Sequence, residues 1–217
     1  MKIQELTLKT NKLSETKEFY GKIIGFEIIN ETGTSISFAI GTSILIFELL
    51  EGNENPKYHF AFNIPLNKID DAINWILERT SLISTENSYI TDFENWKAQA
   101  IYFFDNNRNI LEFICRTDLN NNSEMPFSVK SILCINEIGL VTDEPLNTGN
   151  EIIQSLNIDF FSKGPKREDF VAVGYESGLF VISNSKRNWY PTQELAEKWK
   201  VKAKVSVNES EYNLEYN

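Results

Sequence analysis

Three stretches of the chain open with the same polar and apolar pattern. Glu5-Leu-Thr-Leu-Lys-Thr alternates as a half-buried strand does. It leads into Leu13 to Ile24, where Leu13, Phe19, Tyr20, Ile23 and Ile24 fall near one helical face. Ser14 is placed to cap that helix and Gly25 to stop it. His59-Phe-Ala-Phe-Asn-Ile leads into Ile69 to Ser81, with Ile69, Ala72, Ile73, Ile76 and Leu77 on one face. Glu137-Ile-Gly-Leu-Val-Thr leads into a third helical stretch, Gly149 to Leu156.

Strand-like segments follow each helix. After the first come Phe26–Ile29, Ser35–Ile40 and Ser43–Leu49. After the second come a short strand within Tyr89–Phe93, then Ala98–Phe104 and Asn109–Arg116, joined by the turn Asp105-Asn-Asn-Arg. After the third come Ile158–Ser162, Phe170–Tyr175 and Gly178–Ser183. The pattern predicts an α+β fold built from a βαβββ unit that recurs at intervals of about 55 to 80 residues. Residues 1–117 hold two units and 130–207 a third; the polar stretch 118–129, with Asp118-Leu-Asn-Asn-Asn-Ser-Glu-Met-Pro, reads as a linker, and 208–217 as a disordered tail.

Composition narrows the function classes. The 217 residues carry a net charge of −10, with 11 basic against 16 acidic residues up to Thr117 and 10 against 15 after it. Evenly spread acidity argues against nucleic-acid and anionic-membrane surfaces, which need a basic patch. No apolar run approaches the ~18 residues of a spanning helix, and Met1 to Thr10 alternates instead of forming the apolar core of a secretory signal. Cys115 and Cys134 sit in apolar contexts and are expected to be buried, reduced thiols of a cytoplasmic protein. No P-loop, GxGxxG, GxSxG or CxxC motif is present.

Three segments resemble the vicinal-oxygen-chelate superfamily of glyoxalases, bleomycin-resistance proteins and extradiol dioxygenases. Glu5-Leu-Thr-Leu followed by Thr16-Lys-Glu-Phe-Tyr-Gly-Lys-Ile-Ile-Gly-Phe resembles the family's opening strand and "FY…LGF" helix end. His59-Phe-Ala-Phe-Asn-Ile resembles the strand that opens the second module, and Asp105-Asn-Asn-Arg-Asn-Ile-Leu-Glu-Phe the closing hairpin, with Arg108 where Gly is usual. The resemblance covers residues 1 to about 117. It implies paired βαβββ modules forming a cupped mixed sheet around a metal ion, with an additional third βαβββ-like module.

The resemblance also implies ligands from the first and last strands of each module: Glu5, Glu48, His59 and Glu112. Glu48 and Glu112 interrupt apolar stretches, where a carboxylate needs an ion pair or a metal. Oxygen and nitrogen ligands suit Fe, Mn, Zn or Ni. The family usually has His at the position of Glu5, and His59 is this chain's single histidine. Glu137 takes the same repeat position as Glu5 and His59, but its hairpin has no acid where Glu112 falls, so the third module is not expected to build a metal site of its own.

Two functions from different classes follow. In a metal-dependent lyase, isomerase or dioxygenase, Glu112 or Glu48 would act as base on a small oxygen-bearing substrate. In a metal-free binding protein of the bleomycin-resistance type, aromatic residues such as Phe60, Phe62, Trp96, Tyr102 and Trp189 would hold the ligand, a reading favoured by the missing second histidine. A scaffold with its cup filled by side chains is the third possibility. The Lys186-Arg-Asn-Trp-Tyr-Pro-Thr segment is expected to be a packed loop or lid, and the odd third module to pack on the first domain or pair with its copy in a homodimer.

Overall fold

A computed structural model describes residues 1–85 and 88–216. The first unit comprises β1 (Lys2–Thr10), α1 (Leu13–Lys17), which runs straight into a π-helical stretch Glu18–Ile24, then β2 (Glu27–Glu31), β3 (Ser35–Ile40) and β4 (Ser43–Leu49). Gly25 ends the helical stretch at φ 90°, a conformation glycine adopts without strain. Ser14 lies inside the helix, and Lys12 holds the cap position without a side-chain hydrogen bond, contrary to the expectation from sequence.

The second unit comprises β5 (His59–Asn63), α2 (Ile69–Leu77), β6 (Leu82–Ile83), β7 (Thr91–Phe93), β8 (Ala98–Phe104) and β9 (Ile110–Arg116). The third comprises β10 (Cys134–Thr142), α3 (Pro145–Leu156), β11 (Phe170–Tyr175) and β12 (Gly178–Asn184). The expected strand at Ile158–Ser162 is a single bridge from Phe160 to Val173. In every unit the first strand runs parallel to the last, β1 beside β4, β5 beside β9 and β10 beside β12.

The units do not pair in the expected order. The second joins the third: β5 runs antiparallel to β10, giving an eight-stranded sheet in the order β11-β12-β10-β5-β9-β8-β6, with β7 on β8. The first unit instead pairs through β1 with a C-terminal hairpin, β13 (Val201–Val207) and β14 (Ser210–Tyr216), in a six-stranded sheet ordered β14-β13-β1-β4-β3-β2. The physical reason is that every unit leaves its first strand as a free edge, and alternation within a strand does not say which other edge it meets.

The expected disordered tail is therefore a strand up to Tyr216, while Asn217 lies outside the described residues. Its two-residue turn has both central residues at positive φ, Asn208 at 47° and Glu209 at 69°, the pattern of a type I′ hairpin turn.

One apolar core fills the space between the sheets and helices, from Leu6, Phe38 and Phe47 of the first unit to Phe62, Phe113 and Phe180 of the other two. Phe60 and Phe62 belong to it. Alternation sends them to the face of β5 opposite His59 and Ala61, so neither can line the cup as proposed from sequence. A second, smaller cluster, including Ala61, Tyr102, Ile114, Val181 and Trp189, lies on the other face of the eight-stranded sheet.

Candidate metal and ligand site

The face of the eight-stranded sheet that bears the smaller apolar cluster carries alternate residues of its central strands. His59 comes from β5, Glu112 from β9 and Glu137 from β10, and all three are buried. One donor atom from each lies within 4.8 Å of the other two. Above them is a cavity of about 220 Å³, walled by Phe93, Trp96, Tyr102, Phe170, Trp189 and Tyr190.

The electrostatics of this floor are unusual. His59 Nδ1 is 3.1 Å from the Ile110 carbonyl, so an Nδ1–H donates there and Nε2 keeps its lone pair toward the carboxylates. Burial pushes the imidazole pKa down to about 4, so it is neutral at pH 7. Its Nε2 stands 3.6 Å from Glu112 Oε2, too far for a hydrogen bond.

Burial raises the pKa of Glu112 well above the carboxylate range; the charge of Glu137 adds to this and that of Arg116 opposes it. Glu137 is also raised by burial, against the opposing pull of Arg116. Arg116, wholly buried, forms an ion pair with Glu137 through Nη2 and donates from Nε to Asn136 Oδ1 at 2.8 Å. Tyr102, directly across the ladder from Glu112, presents its hydroxyl to that carboxylate.

One imidazole lone pair and two carboxylates thus converge, and Arg116 neutralises only one charge. The remainder calls for a proton on Glu112 or for a cation, and the donor set of one nitrogen and two carboxylates fits a divalent ion. Strand register explains why there are three donors and not four. His59 pairs with Ile110, and Glu112 lies two residues further along β9. Glu137 pairs with Leu179, and the residue two further along β12 is Val181, which offers no ligand atom. Three protein donors with a fourth position free is the arrangement of catalytic metal centres.

The roof is the loop after β12. Trp189 packs on the imidazole with ring centroids 5.0 Å apart. It fits because β10 has a glycine below it: a Cβ on Gly139 would lie 3.1 Å from the indole and 2.8 Å from the His59 carbonyl oxygen. The loop is tied to the second unit by Glu194, which accepts from Lys57 Nζ at 3.0 Å and Arg108 Nε at 2.9 Å. Arg108 holds φ at 64°, where glycine would be easier, and its guanidinium also stacks 4.3 Å from the centre of Phe104.

His59, Glu112, Trp96, Tyr102 and Trp189, all named from sequence, come together here. Glu5 and Glu48 do not. They belong to the six-stranded sheet, where Glu5 registers with Lys204 and half-buried Glu48 is ion-paired to Lys9 at 2.8 Å and Lys202 at 3.2 Å. Those lysines hold the Glu48 carboxyl below its usual range, a structural role in place of the proposed ligand or base. Glu137 and Arg116 were not among the sequence candidates. The signal for Glu137 was present, since it repeats the strand position of His59, but using it requires knowing that the second and third units share a sheet.

No protein-family model matches the chain, and no curated protein matches it. Solved structures do. A "putative dioxygenase" from Bacillus subtilis subsp. subtilis str. 168 superposes with TM-score 0.58 at 15% identity over 84% of this chain. The chain spans 63% of that protein's length. Lower scores are reached by a lactoylglutathione lyase from Agrobacterium tumefaciens, TM-score 0.44 at 18% identity over 52% of this chain and 92% of that one. A glyoxalase/bleomycin resistance protein/dioxygenase from Nocardioides gives 0.45 at 18% identity, over 58% of this chain and 89% of that one.

Proposed function

We infer the function of the cavity from the glyoxalase/dioxygenase-like fold that the chain shares with the Bacillus subtilis putative dioxygenase. We propose that the protein is a divalent-metal-dependent enzyme of the lyase or isomerase type, acting on a small oxygen-bearing molecule held in the cavity above His59. The observation that carries this reading is the convergence of the three buried donors, His59, Glu112 and Glu137, on the cavity floor.

When bound, the ion would supply Lewis acidity toward substrate oxygens at the position left free by Val181. Glu112 is the residue with proton affinity to spare, held there by burial and by Glu137, and it would pass a proton to or from the substrate. Trp189 and its neighbours on the loop would exclude water above the ring of His59. Chemistry that requires two histidines is not part of the proposal, because the chain has one. The two free cysteines support a reducing, cytoplasmic setting, and no helix among the described residues is long and apolar enough to cross a membrane.

Elemental analysis of protein purified without chelators should find near-stoichiometric transition metal, and His59→Ala should lose it. Protein that carries none, and gives no binding heat with Mn, Fe, Zn or Ni, would end this reading. One observation favours a second: Arg116 already supplies a cation to Glu137. In that reading the cavity binds an aromatic ligand without metal, and ligand quenching of tryptophan fluorescence is unchanged by chelators.

A further inference from the structure

The charge of the cavity changes sign between floor and mouth. At the floor, two carboxylates face one guanidinium, that of Arg116. At the mouth, Arg167 and Arg187 both line the cavity and share a single carboxylate, Asp169. The mouth therefore carries a cationic excess in a chain whose net charge is −10.

The way Arg187 is held matters more than its charge. Its Nη1 donates to Asp169 Oδ2 at 2.6 Å, and its guanidinium carbon lies 5.0 Å from the centre of the Phe170 ring. These two contacts set the plane and the direction of the group. They leave the Nε side of the guanidinium, the side that grips a carboxylate with two parallel N–H bonds. Among the described residues the Nε atom is buried and has no hydrogen-bond partner. A second orphan donor, the indole N–H of Trp189, belongs to another residue of the same lining. Buried N–H groups are rarely left unmatched, because each forfeits its hydration without return. Both belong to residues that line the cavity, and oxygen acceptors brought against them by a ligand would match them.

We propose that Arg187 is a carboxylate-binding residue at the cavity mouth, and that the ligand is a small aromatic carboxylate whose ring lies between the aromatic walls. The proposal rests on the reading of this cavity as a small-molecule site, but it does not require the metal. Phe93, Trp96 and Phe170 supply flat apolar surface for the ring, and the guanidinium supplies the only recognition a carboxylate needs. Asp169 is then a positioning residue that aims Arg187. The buried acids at the floor would repel the same carboxylate, so the anionic end is directed outward.

The test is calorimetric titration of the full chain with benzoate and with benzamide, its neutral counterpart of the same shape, in the presence of EDTA. Benzoate should bind more tightly than benzamide by roughly tenfold or more, the effect of a charge-assisted hydrogen-bond pair. Arg187→Met should abolish that preference and leave benzamide binding unchanged. Arg187→Lys, which keeps the charge and loses the fork, should restore only part of it. Arg187 is partly exposed, and unchanged thermal unfolding of both variants would show that they fold.

Equal binding of the two probes, binding of neither, or an Arg187→Met protein that still prefers benzoate would overturn the proposal. Titration of the same proteins with Mn²⁺, after dialysis to remove EDTA, tests the metal reading separately. Loss of Mn²⁺ binding in His59→Ala, with the benzoate preference intact, keeps the carboxylate at Arg187. A preference that appears only with Mn²⁺ and vanishes in His59→Ala puts the carboxylate on the metal and overturns the assignment to Arg187.

Discussion

At the scale of the residue, the cavity floor stores a conflict that pH should expose. The folded His59 is neutral down to about pH 4, whereas an unfolded histidine takes up a proton near pH 6.5. Its folded pKa is depressed, so the stability linked to it is complete above about pH 6.5 and is lost as pH falls toward about 4. For Glu112 the sign is opposite. Its folded pKa is raised above the unfolded value, so its contribution is complete below about pH 4.5 and declines as pH rises toward the folded pKa. Metal-free protein should therefore lose stability on both sides of a narrow mildly acidic range. Glu112→Gln keeps the shape and removes the ionisation. It is expected to raise the unfolding free energy at pH 8 by about 1–3 kcal/mol in EDTA, and to have no such effect near pH 4. Denaturant unfolding at the two pH values reads this directly, and equal effects at both would show that Glu112 is not the strained group.

At the scale of the element, β10 and the loop after β12 must fit each other. Gly139→Ala would press a methyl against the Trp189 indole and the His59 carbonyl oxygen. It is expected to destabilise the fold by about 1–3 kcal/mol, the usual effect of overpacking, and to shift tryptophan emission toward that of an exposed indole. A stable variant with unchanged emission would mean that Trp189 does not rest on β10. The same elements show what a sequence can carry. Alternation marked Glu5-Leu-Thr-Leu and His59-Phe-Ala-Phe as strands, and helical spacing placed Ile69, Ala72 and Ile76 on one helix face. Those are local periodicities, readable a few residues at a time. Glu137 entered the site through a pairing between β5 and β10, strands more than seventy residues apart, and nothing in either strand names its partner. Phe62 was misplaced for the converse reason: aromatic character drew it toward the ligand, while the register of β5 put it in the main core. The tail was misread because β14 keeps polar residues on its outer face, with Tyr212, Leu214 and Tyr216 only half-buried.

At the scale of the whole molecule, three units and a hairpin solve a problem of edges. The second and third units close on each other through β5 and β10, so the third unit, expected to pack on the first domain or to pair with its copy in another chain, has a partner edge within its own chain. The first unit has no such partner and takes the hairpin instead. β13 covers the edge of β1, and Val201, Ala203 and Val205 extend the apolar face begun by Leu6 and Leu8. Removing residues 201–217 would open a nine-residue strand edge beside exposed core. The expected outcome is a protein that aggregates or unfolds at lower temperature, even though the cavity lies on the other sheet and contains no residue of the hairpin. The decisive comparison is between truncation and a milder change on the same strand. Ala203→Glu keeps every backbone pairing and buries a charge in the core. If loss of the edge is the main defect, truncation should promote aggregation more strongly than Ala203→Glu, measured by light scattering at equal concentration. If burial of the apolar face matters more, the two should behave alike. A truncated chain that stays monomeric with unchanged melting would show that the first unit is stable without the strand that completes its sheet.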